Sequence, residues 1–285
     1  MHPFFRSDLA IETAEMFQES SPLQGVRIEN LTGERTGIPV TRVIVENEIG
    51  AKQLGKSVGT YITLDVPRLD QKDTNYHREI SLEVMEQLGT LVPELKDKRI
   101  FVAGLGNRQM APDALGPLVV EQLLVTRHLI ENFGMDSKHM EGLGCVSALA
   151  PGVMAQTGME TREILLGAIR ETHPDILIVI DALAARSVER LNRTIQMTNA
   201  GIAPGAGIGN RRMGMNTESM GIPVIAIGIP TVIDAASIVS DAVEKLLTET
   251  EMMELFVTPK NMDEMIHQIS YTLSEALNQF CHPGE

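Results

Sequence analysis

Asp113, within PDALGP, and Asp181, at the end of the apolar run ILIVID, are the residues whose types and positions could do chemistry. RIFVAGLG (99–106) and ILIVID (176–181) read as strands apolar on both faces. Each acid therefore follows or ends a buried strand, at the carboxyl edge where open α/β sheets put their sites. Two carboxylates facing one crevice can part their pKa values, one staying ionised as a base while the other holds a proton as an acid. That is the chemistry of hydrolysis. A helix cap also accounts for Asp113, since an acid just ahead of a helical run satisfies free N–H groups. It does not account for Asp181, because an unpaired charge at the end of a buried strand is costly. Asp234, after PVIAIGIPTVI, either approaches the same rim or caps the helix that follows it.

Competing chemistries fail on spacing. The dinucleotide fingerprint needs a small residue three positions after the second glycine, and Gly104-Leu105-Gly106 is followed there by Gln109. Gly55-Lys56-Ser57 lacks the upstream glycine of a phosphate loop, the position being Ala51, and is a chance match. The seven histidines form no HExxH or paired spacing, and no GxSxG elbow is present. No metal site and no cofactor are expected on these grounds. Cys145 and Cys281 lie far apart without metal spacing, which fits a reducing, cytoplasmic compartment.

The elements that must position the acids are legible too. With 43% hydrophobic and 22% charged residues the chain is an ordinary folding sequence. A net charge of −14 without a dense basic run, and the absence of Trp, exclude nucleic acid as a partner. The apolar runs are too short to span a bilayer, so no membrane partner is expected either. Residues 1–24 read as a polar tail without the apolar stretch of a signal peptide. Residues 25–66 hold three β-branched segments, a hairpin or meander. A helical period over 74–94 then leads into the main core, 99–285. There RIFVAGLG, ILIVID and PVIAIGIP alternate with helices at PLVVEQLLVTRHLIENF and ETREILLGAIRETH. The fold class is α/β, with a three-layer, mostly parallel central sheet covered by helices on both faces.

GLGN (104–107), PDALGP (112–117), TRHL (126–129), PGVMAQTGMET (151–161), IDALAARS (180–187) and GIPVIAIGIPTVIDA (221–235) together resemble the germination protease family of spore-forming bacteria. The match runs over most of the chain. The resemblance implies an aspartic-type endopeptidase that degrades small acid-soluble spore proteins in the spore core, made as a zymogen that processes itself near its N-terminus, and assembled as a homotetramer. On the family pattern the catalytic acids fall on Asp113 and Asp181, the pair reached above from strand ends. The fold is also similar to that of hydrogenase-maturation proteases, whose glycine turn leads to an acid that binds metal. Metal-assisted hydrolysis through the same two aspartates therefore stays open within enzymes, and a peptide-binding protein without turnover stays open outside them. One departure is the short TETEMMELF (248–256) before VTPKNMDEM, where the family carries a longer polar segment.

The family's substrates are cut after an acidic residue in a Ser/Thr-Glu-apolar-Ala context, and Ser7-Asp8-Leu9-Ala10 repeats that pattern in the chain's own tail. The expected processing bond is Asp8–Leu9, dividing a pro-segment, 1–8, from a single peptidase domain, 9–285. The same residues also read as a capped helix start. An acidic residue before the cut bond calls for a cation in the cleft, and Arg186, Arg211 and Arg212 are the candidates, because arginine grips carboxylates bidentately. Low pH is expected to favour the cut by protonating Asp8 and one member of the Asp113/Asp181 pair.

Overall fold

The structure is a computed structural model that describes residues 7–18, 23–92, 98–134, 142–205, 213–235 and 256–284. Its strands are β1 (Val26–Thr32), β2 (Pro39–Val45), β3 (Gly59–Asp65), β4 (Arg99–Gly104), β5 (Cys145–Leu149), β6 (Ile176–Ala185), β7 (Thr194–Thr198), β8 (Val224–Asp234) and β9 (Phe256–Val257). The α-helices are α1 (Ala10–Gln18), α2 (Glu48–Leu54), α3 (Thr74–Leu91), α4 (Leu115–Glu121), α5 (Arg127–Phe133), α6 (Met154–Thr157), α7 (Thr161–Thr172), α8 (Thr217–Met220) and α9 (Met262–Cys281). One sheet runs in the order β1-β2-β3-β7-β8-β6-β4-β5, with β9 on β8. β5, β4, β6 and β8 are parallel, and the meander β1-β2-β3 joins them through antiparallel β7. The meander expected over 25–66 is thus part of the same sheet as the parallel core.

Alternation along β6 divides the core between the two sheet faces. Ile176, Ile178 and Ile180 pack with α3, α4 and α9, while Leu177 and Val179 join Leu165 of α7 and Met220 on the other face. Because both faces are covered, every residue from Ile176 to Ile180 is buried, and the run reads as continuously apolar. α3 begins where Asp73 accepts from the Tyr76 N–H at 3.1 Å and lays Ile80, Val84 and Leu88 against that core. Among the described residues no helix is long and apolar enough to cross a membrane.

Three expectations change. Residues 115–133 form two helices instead of one, because tertiary partners take the backbone groups that would continue the first. Asn278 of α9 accepts from the Leu124 N–H at 2.9 Å and donates to the Gln122 carbonyl at 3.3 Å, and Thr126 N–H bonds to Val146. ILIVID does not end at Asp181 but continues to Ala185, since β8 offers a partner through Ile233. The N-terminal stretch is no polar tail from Leu9 onward: α1 buries Ala10, Ile11 and Ala14, and Leu9 is fully buried.

Candidate active site

The glycines of 104–116 serve close packing between the loop after β4 and the start of α4. A Cβ on Gly104 would lie 2.1 Å from the Gly116 carbonyl oxygen, and one on Gly106, where φ is +112°, would lie 2.0 Å from the Asp113 carbonyl oxygen. The start of α4 therefore passes directly over the loop, and a one-turn 3₁₀ helix, Ala111–Asp113, is drawn onto it. Asp113 Oδ2 accepts from the Asn107 N–H at 2.8 Å. The N-cap position of α4 is Ala114, one residue after Asp113, whose carboxylate turns back to the loop. The 3₁₀ turn packs on β6 and β8, and Thr231 of β8 donates to the Pro112 carbonyl. Gly106→Ala is accordingly expected to cost about 1–3 kcal/mol, the range for a residue held in a sparsely populated backbone region, and to displace Asp113. Denaturant unfolding with a peptide-cleavage assay checks this; wild-type stability and activity would refute it.

Asp181 lies on β6 one residue beyond the last β4 pairing, Gly104 with Ile180, while on the other side it pairs with Gly228 of β8. The β4 side of the strand is thereby opened to the glycine loop. Asp181 is 6% exposed, and its Oδ1 accepts from the Ala182 N–H at 3.0 Å. It lines a cavity of about 200 Å³ together with Asp8, Lys56, Gln196 and Leu183. Asp234 closes β8, buried, with Phe256 of β9 opposite.

Residues 7–9 lie along this cavity wall, beside the end of β6. Asp8 N–H donates to the Ala184 carbonyl and Asp8 Oδ2 accepts from the Ala184 N–H, both at 2.9 Å. Its carbonyl oxygen accepts from Lys56 Nζ at 2.8 Å and from Gln196 Nε2 at 3.2 Å. Leu9 packs with Ile11, Leu183 and Ala185, and its N–H donates to Ser7 Oγ at 3.0 Å. Glu12, 3% exposed, accepts from the Arg186 and Ser187 N–H groups at 2.8 and 2.9 Å and from the Ser7 hydroxyl. The helix-start reading of SDLAIETAEMF holds, since α1 begins at Ala10, and the residues just ahead of it are bound beside the end of β6.

Of the arginines proposed from sequence, Arg186 borders the junction and holds Glu12 through its main chain. Arg211 and Arg212 lie outside the described residues. Lys56, which sequence reasoning passed over as a chance phosphate match, is a cation set at Asp8. That rejection itself stands, for Gly55 (φ +64°) ends α2, so Lys56 follows a helix C-terminus instead of leading an N-terminus. Burial lowers the Lys56 pKa, opposed by the neighbouring Asp8 and Glu12. Among the described residues no group of three or more His, Cys, Asp or Glu is arranged to hold a metal ion. Burial pushes the thiols of Cys281, to about 12, and of Cys145 upward, which suits core residues.

Residues 6–254 match the family model described as germination protease. A germination protease of Clostridium tetani is 40% identical over 316 aligned residues, covering 98% of this chain and 96% of its own length. One from Caldanaerobacter subterraneus subsp. tengcongensis is 39% identical over 98% of this chain and 94% of its own. One from Bacillus cytotoxicus is 44% identical over 85% of this chain and 66% of its own. Among solved structures, the crystal structure of a [NiFe] hydrogenase maturation protease HycI from Thermococcus kodakarensis is similar at a TM-score of 0.37 and 16% identity, over 67% of this chain and 98% of that one.

Proposed function

The chain belongs to the germination protease family, a family of peptidases, and we propose that it is an endopeptidase that cuts after an acidic residue, using Asp113 and Asp181 as an acid/base pair and activating itself at Asp8–Leu9. The observation that carries this reading is the seating of Asp8 in the cavity that Asp181 lines, with its main chain bonded to Ala184 of the same strand; Asp113, on the adjoining glycine loop, is not among the residues lining that cavity and enters on the family pattern. In the reaction, one ionised aspartate takes a proton from water as the water oxygen adds to the Asp8 carbonyl carbon. The other, protonated, gives its proton to the Leu9 nitrogen as the C–N bond breaks. The products are a carboxylic acid at the former Asp8 carbonyl, which passes its proton to the Leu9 amine or to solvent, and the new amine at Leu9, and the pair's single proton has moved from one aspartate to the other.

The same cavity then receives protein substrates with the same local pattern. Small acid-soluble spore proteins, cut in the spore core by a homotetramer, are the substrates and assembly we propose on the family resemblance. Sedimentation of the purified chain tests the tetramer, and a monomer at micromolar concentration would count against it. The test of function is cleavage of a peptide carrying Ser-Glu-apolar-Ala, with the bond identified by mass spectrometry. Binding without cleavage would turn the reading to a peptide-binding protein.

Metal removal separates acid/base catalysis from metal-assisted hydrolysis at the same two aspartates. Peptide cleavage is expected to survive exhaustive chelation unchanged. Loss of activity that returns with zinc, manganese or iron would reassign both carboxylates as metal ligands.

A further inference from the structure

We propose that Lys56 and Gln196 are catalytic residues that stabilise the oxyanion formed at the Asp8 carbonyl when the Asp8–Leu9 bond is cut. This rests on the assignment of that bond under the proposed function. Two donors from different elements converge on one oxygen, Lys56 Nζ at 2.8 Å and Gln196 Nε2 at 3.2 Å. As water adds to the carbonyl carbon, the charge on that oxygen grows from a partial to a full negative. A cation and an oriented N–H already aimed at it gain strength at that moment without rearranging.

Each donor is held by groups other than the oxygen it would serve. Gln196, on β7 and 6% exposed, accepts from the Ala10 N–H through Oε1 at 2.7 Å, which turns its Nε2 toward Asp8. One amide therefore clamps the chain on both sides of the Asp8–Leu9 peptide. Lys56 leaves the end of α2 at the Gly55 turn, and its Nζ also bonds the Ser7 carbonyl at 3.0 Å. It thus grips two successive main-chain carbonyls, a mode indifferent to side chains that would serve any substrate threaded the same way. The competing role is mere anchoring of the pro-segment, in which the bonds matter for seating and not for rate.

The experiment uses the full chain, with self-cleavage followed by mass spectrometry after mild acidification. Seating is read beforehand on the intact chain from amide hydrogen exchange at Leu9 and Ala10. Lys56→Met is expected to slow the first-order cut about 10²–10³-fold, the usual loss for one oxyanion donor, while the Leu9 and Ala10 amides stay protected. Lys56→Arg, which keeps a cationic donor, is expected to recover most of the rate. Gln196→Glu keeps the acceptor for Ala10 N–H but loses the donor to Asp8, and is expected to slow the cut by about tenfold or more; it also carries the test if Lys56→Met does not fold. Wild-type rates in Lys56→Met or Gln196→Glu would overturn the proposal, as would slow cutting accompanied by lost protection, which means anchoring alone. A wild-type chain that never cuts at Asp8–Leu9 overturns the bond assignment itself, and this proposal with it.

Discussion

Asp113→Asn and Asp181→Asn are each expected to abolish cleavage of peptide substrate and of the chain's own Asp8–Leu9 bond while leaving the fold intact. The amide has nearly the shape of the carboxyl but cannot take up or release the proton, and positioned acid–base catalysis contributes about 10²–10⁴-fold. The two substitutions also differ in their local consequence. At position 113 the amide oxygen can still accept from the Asn107 N–H, so the loop should close as before. At position 181 the amide oxygen can likewise accept from the Ala182 N–H, so the strand is kept. Unfolding midpoints of both variants should therefore stay close to that of the wild type. More than about a tenth of wild-type activity in either variant would remove that residue from the pair, set against the same 10²–10⁴-fold expectation. A large fall in the midpoint would instead assign it a structural role.

The place of Asp181 in the fold was legible in the sequence because burial on both faces writes a distinctive signal. Leu177, Ile178, Val179 and Ile180 can form an unbroken apolar run only in a covered parallel strand, so a charged residue directly after them is conspicuous. Length was not legible: β6 runs on past Asp181 because β8 supplies partners, a fact of pairing across the sheet. Lys56 was invisible for a related reason. Its part depends on the Gly55 turn and on an approach between residues 48 positions apart, and neither spacing nor polarity near GKS reports it. Gln196 lies in TIQMT, where every residue is buried, so nothing distinguishes its amide from the other buried polar groups of β7. The N-terminal stretch misled through Glu12. A charge usually marks a solvated face, but here its partners are the backbone N–H groups of Arg186 and Ser187 at the end of β6, which only the folded chain provides.

Acidification of the purified full chain is expected to release residues 1–8 and leave a new amine at Leu9. The sign of the pH effect follows from which group must be protonated. The Asp8 carboxyl accepts from the Ala184 N–H and lies near Lys56. The acid requirement belongs to the pair: one aspartate must be ionised to take the proton from water, the other protonated to give one to Leu9. Cutting should therefore speed up as pH falls into the range where the pair holds a single proton, and slow again when both acids are protonated. Asp8→Ala removes the side-chain bond from the Ala184 N–H and the carboxyl near Lys56 while the main-chain bonds to Ala184 and Lys56 remain, and should slow self-cleavage by about tenfold or more, since a hydrogen bond to a charged group contributes roughly 1.5–3 kcal/mol. Asp113→Asn serves as the inactive control in the same mass-spectrometric series. Processing that persists in that control, or that falls at another bond, would show that a second protease matures the chain and that the seating of Asp8 is only a packing contact.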